Sequence, residues 1–186
     1  AGYGQIVPLV NPGYNNLRML WHSPIGAVSS PFSPIFMGQT IIPEEFMMHR
    51  YLTVGESHRF SNDRKKNEKD SLSFVSQGVE STVSAVYECK RLLYQILQNK
   101  NRFLSIATKA FESREKKLTN KTNKILKTTK IFLKKNKKTL CKRMLNNFSI
   151  TELRNGLKLV QTLSKNMEVK IRKSKGFTNN IKPKSF

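Results

Sequence analysis

Residues 116 to 151 hold twelve Lys or Arg and no Asp or Glu: Lys116, Lys117, Lys121, Lys124, Lys127, Lys130, Lys134, Lys135, Lys137, Lys138, Lys142 and Arg143. No other stretch restricts the chain as strongly. Like charges three or four residues apart destabilise a helix, and a compact body carrying a formal charge of +22 repels itself. Such a run is either a solvated face or a surface whose counter-charge comes from a partner. Twelve cations with no acid among them favour the partner. RNA, DNA and anionic lipid are the candidates, with acidic protein a weaker fourth. Sparse apolar residues (Leu118, Ile125, Leu126, Ile131, Phe132, Leu133, Leu140, Met144, Leu145) predict a helix over 116–146, with lysine at nearly every angle around its axis. Bound phosphate would supply the charge that steadies it.

The positive charge is confined to one part of the chain. Residues 1 to 57 carry Arg18 and Arg50 against Glu44, Glu45 and Glu56, a balance of −1. The remaining 32 basic and 9 acidic side chains leave +23 on residues 58 to 186. Asymmetry of this kind accompanies contact with nucleic acid or membrane. Six of the seven prolines and six of the nine glycines also lie in residues 1 to 57, which predicts an extended, irregular path. Yet the segment is rich in large apolar residues, among them Ile6, Leu17, Trp21, Phe32, Phe36 and Phe46. A solvated linker lacks such residues, so the segment reads as an arm that lies on a surface, here assigned to neighbouring proteins. Residues 58 to 70 are polar and of mixed charge, and are assigned as the linker between arm and body.

From residue 71 the pattern becomes helical. Leu72, Val75, Val79, Thr82, Val86, Cys89, Leu93 and Ile96 step alternately by three and four, and Phe103, Ala107 and Ala110 resume the seam after a break at Lys100. That is the 3.5-residue repeat of a helical hairpin or coiled coil, over a helix of residues 71 to 115 capped by Asp70 or Ser71. Ser149 to Glu152 match a capping box, predicting a further helix over 149–175 with Leu153, Leu157, Val160 and Met167 on its apolar face and Gly176 as its stop. Residues 176 to 186 form a short basic tail. The expected fold is mainly α: two or three long helices in a hairpin or small bundle (71–175), with an irregular Pro/Gly-rich arm before them.

Residue patterns that carry catalysis are not found. His22, His49 and His58 have no Cys or carboxylate at metal-ligand spacing, and no phosphate-binding glycine motif or nucleophile elbow occurs, so no enzyme, metal or cofactor is expected. Cys89 and Cys141 are expected to be reduced thiols. No stretch reads as a membrane span or a signal peptide. No zinc finger, recognition helix or aromatic RNA-binding strand is apparent. Lysine neutralises phosphate without reading bases, so shape-tolerant binding of structured RNA is expected. The nucleic-acid contacts are assigned to the twelve cations above together with Lys173 and Lys175. The resulting expectation is a structural RNA-binding component of a large ribonucleoprotein, an organellar (mitochondrial) ribosomal protein of the matrix. It would neutralise rRNA phosphates and dock on neighbouring proteins through residues 1–57 and the 72–110 seam.

Ile41-Ile42-Pro43-Glu44-Glu45-Phe46 resembles a short stretch near the N-terminus of the b subunit of animal mitochondrial ATP synthase. That resemblance implies an alternative: a peripheral-stalk or accessory subunit of a membrane complex, its lysines against lipid headgroups. The family's membrane-spanning segments would follow the stretch, whereas a polar linker follows here. A nucleic-acid-packing protein of a virion or nucleoid is a third reading.

Overall fold

The computed structural model describes residues 4–8, 13–47 and 84–174. It is mainly helical. The order is β1 (Gly4–Ile6), a 3-10 turn (Asn15–Leu17), β2 (Met19–Ser23), β3 (Ser33–Phe36), a short α1 (Glu44–Met47), then three helices: α2 (Ala85–Gln98), α3 (Lys100–Lys134) and α4 (Lys138–Ser174). At 35 and 37 residues, α3 and α4 are rods of about 50–55 Å. They form an antiparallel hairpin with α2 beside its base.

The arm carries regular structure that its proline content did not suggest. β1, β2 and β3 make an antiparallel sheet in that order, with Ile6 opposite Trp21 and Trp21 opposite Pro34. The central strand has no proline. Pro34 sits in an edge strand, where a missing N–H is tolerated. The loop between β2 and β3 is cross-tied by Ser23 and Ser30, whose hydroxyl oxygens stand 2.6 Å apart and accept the N–H groups of Ile25 and Gly26. Gly26 takes a φ of +142° there, which a side chain would strain. The described part of the arm packs on the chain's own helices. Leu17 and Phe36 are buried with Leu133, Cys141 and Leu145 at the hairpin's distal end.

α2 starts where Ser84 accepts the Tyr87 N–H. The expected cap at Asp70 or Ser71, and the seam from Leu72 to Thr82, lie outside the described residues. The single helix expected through residue 115 is divided at Asn99, whose backbone (φ −150°, ψ 73°) is not helical. The break in the seam at Lys100 falls at this joint. Cys89, Leu92 and Ile96 of α2, Phe103, Ala107 and Phe111 of α3, and Val160, Leu163 and Met167 of α4 form the main core.

Two further boundaries differ from expectation. The helix expected over 116–146 ends at Lys134, because Asn136 adopts the left-handed conformation (φ 55°). The Asn136 N–H then donates to the Leu133 carbonyl, and the Lys137 N–H to the Phe132 carbonyl at 2.9 Å. These are the paired bonds of a Schellman stop. The second helix begins at Lys138 rather than Ser149, so Ser149–Glu152 is no N-terminus. Ser149 is buried mid-helix, and Glu152 reaches across to α3. The interface between the rods uses small side chains. Thr122 and Thr129 are buried with their hydroxyls donated to the carbonyls of Leu118 and Ile125, which is why large apolar residues are sparse in this stretch.

Candidate nucleic-acid interface

All twelve cations of residues 116 to 143 are exposed. Lys116, Lys117, Lys121, Lys124, Lys127, Lys130 and Lys134 project from the distal half of α3. Lys135 and Lys137 flank Asn136 in the turn, and Lys138, Lys142 and Arg143 begin α4. On α3 they do not surround the axis as expected. Leu118, Thr122, Thr129 and Leu133 mark the buried stripe. At about 100° per residue, the seven lysines fill roughly the opposite half of the circumference. The core thus sorts the helix into one dry side and one side whose only charged residues from Lys116 onward are lysines.

Of the remaining assigned residues, Lys173 is exposed near the C-terminal end of α4, about 50 Å along the rod from Lys138. The structure does not bring it into the same face. Lys175 lies outside the described residues.

Among the described residues little neutralises this surface. Lys121 alone among the twelve has a described acid partner, Glu152, at 3.0 Å. Glu115 accepts the Phe32 N–H at 2.8 Å, and Glu45 is held by Arg154 at 2.7 Å. Lys138 stands in the first turn of α4, which has no acid, at the positive end of the helix dipole. Like charges so placed repel one another in the free chain.

Arg114 was not singled out in the sequence, although it anchors the base of the face. Its guanidinium donates to the Phe32 carbonyl at 2.8 Å, to the Ser33 hydroxyl at 3.1 Å and to the Glu152 carbonyl, with the Glu152 carboxylate 3.6 Å away. Burial draws it below its ordinary pKa, while Glu152 and Glu115 oppose that shift. Gly156 makes room for it, since a Cβ there would stand 3.2 Å from both Arg114 Nη2 and Ser33 Oγ. One arginine thus ties β3 and both rods together, and no local pattern could have revealed that.

The two thiols are free and buried in different clusters, Cys89 in the main core and Cys141 in the distal one. Burial first, with Glu88 adding and a Ser30 hydrogen bond opposing, pushes Cys89 up to about 12. Among the described residues no three His, Cys, Asp or Glu gather as metal ligands, and no helix is long and apolar enough to cross a membrane. His49 and His58 lie outside the described residues. Comparison with family models, curated proteins and solved structures finds no significant match.

Proposed function

We propose that this chain is a non-catalytic structural protein that binds RNA within a large ribonucleoprotein, an organellar (mitochondrial) ribosome. The observation that carries the reading is the distal hairpin: twelve exposed cations, eleven without a described acid partner, on two packed rods and the turn that joins them. Rigid display limits the conformational entropy lost on binding. Exposed apolar residues, including Ile6, Val7 and Ile41 on the arm and Tyr94 and Leu97 on α2, supply further surface for neighbouring proteins. Nuclease treatment of the native complex tests the reading. Release of the chain by RNase but not by DNase is expected; retention after RNase would overturn it.

A second reading draws on the Ile41–Phe46 stretch, which runs into α1 and is pinned to α4 through Glu45 and Arg154. Two rods of about 50 Å also suit a peripheral-stalk or accessory subunit of a mitochondrial membrane complex, with the lysines against anionic headgroups. Retention on membranes through a high-salt wash and RNase would select it.

A further inference from the structure

Resting on the RNA-binding reading above, we infer that α3 takes double-helical RNA, lying along the shallow groove with its lysines on both phosphate backbones. The seven lysines of α3 from Lys116 onward fall into two rows. Lys116, Lys127, Lys130 and Lys134 form one, and Lys117, Lys121 and Lys124 the other, continued by Lys135 at the turn. The rows stand about 100° apart around the axis, and the line between them faces directly away from the buried stripe. Ser113, Asn120 and Ile131 lie near that line, all exposed. Uncharged side chains between two cationic rails are what a groove floor requires.

A helix with its side chains is about 10–12 Å across, so rows 100° apart stand about 8–9 Å from each other on its surface. The major groove of A-form RNA is deep and narrow and excludes such a body. Its minor groove is wide and shallow and displays 2′-hydroxyls, which Asn120 and Ser113 suit as hydrogen-bond partners. Single strands are held differently, by aromatic side chains that stack on bases. Among the described residues no exposed aromatic interleaves with these lysines. Phe132 and Phe148 are half-buried, Phe148 against the distal cluster, and the exposed Tyr94 is on α2.

The test uses the full chain and three probes of equal length: a 24-base-pair RNA duplex, one of its strands with no self-complementarity, and the matching DNA duplex. Affinity is followed from 50 to 200 mM salt. The RNA duplex is expected to bind on the order of tenfold tighter than either competitor. Lys116, Lys127 and Lys134→Gln together, or Lys117, Lys124 and Lys135→Gln together, should each lower the duplex salt slope by about three, and affect the strand less. Equal or tighter binding of the single strand or the DNA would overturn the inference, as would equal losses on duplex and strand in both variants. Failure of every probe to bind at 100 mM salt would instead remove the RNA-binding reading itself. Circular dichroism establishes that the variants keep their helices.

Discussion

The two halves of the α3–α4 hairpin solve the same electrostatic problem in opposite ways. In the proximal half the acids of α4 have partners inside the fold: Glu152 holds Arg114 and Lys121, and Glu168 holds Arg91 and Arg172. In the distal half, from Lys116 to Thr151, there is no acid at all. The rods continue through both halves, so the difference is not one of secondary structure. Charge at the base fastens elements together, and charge at the tip has, Lys121 apart, no described acid partner within the chain. Substitutions in the two halves should therefore differ in sign as well as in size.

The largest effect is expected at the base. Arg114→Met removes hydrogen bonds to Phe32, Ser33 and the Glu152 carbonyl and leaves the Glu152 carboxylate, whose side chain is only 7% exposed, with the exposed Lys121 as its one described partner. Breaking a buried pair from one side costs about 3–5 kcal/mol, to be read from urea unfolding. Lys121→Met removes a partner from the same carboxylate, but that lysine is 58% exposed, and the loss should stay within about 1 kcal/mol. Equal losses would mean that the base and the face are not separate systems.

The tip depends on the arm. Phe36 is fully buried among Leu17, Leu133, Cys141 and Leu145. Phe36→Ala should cost about 3 kcal/mol. Hydrogen exchange should speed up more at residues 129–145 than at 89–111, since the two clusters are distinct. A uniform loss of protection would show the rods to be one cooperative unit.

How much of this was legible follows from the range of each interaction. The mainly helical fold is periodic; of the described seam residues Cys89, Ile96, Phe103 and Ala107 are buried, whereas Val86, Leu93 and Ala110 are half-buried and Leu92, outside the seam, is in the core. The sheet is a long-range pairing of strands three to five residues long, too short to alternate visibly. Ser149–Glu152 satisfied a local capping pattern, but Glu152 is claimed by Arg114, 38 residues away. The exposure of the lysines was readable from charge alone, whereas their confinement to half of α3 depends on which threonines are buried.

The turn separating the rods gives a smaller, local test. Asn136 holds φ at 55°, a conformation that costs a residue with a Cβ about 1–2 kcal/mol, asparagine less than most. Asn136→Ala should therefore lose about 1 kcal/mol in thermal or urea unfolding, and Asn136→Gly should hold or slightly raise stability. Neither change touches a lysine. If Asn136→Ala nonetheless weakened polyanion binding while Asn136→Gly did not, the angle between the two rods would itself be part of the cationic surface.

The smallest effect has the opposite sign and bears most directly on the contrast between the halves. Lys124 and Lys127 are exposed, three residues apart, and each has further lysines within one turn. Like-charge pairs at this spacing cost about 0.2–0.5 kcal/mol each. Lys124→Gln with Lys127→Gln should therefore raise the stability of the free chain by a few tenths of a kcal/mol at 50 mM salt. The gain should fade by 300 mM, where the Debye length is only about 5–6 Å. The same pair of changes should weaken binding to a polyanion. Unfolding curves with and without an RNA duplex, at both salt concentrations, measure the two effects together. Stabilisation of the free chain combined with destabilisation of the complex is the outcome that separates a binding surface from a merely solvated one. A loss of stability in the free chain would place these lysines with Arg114, among the residues that hold the fold together.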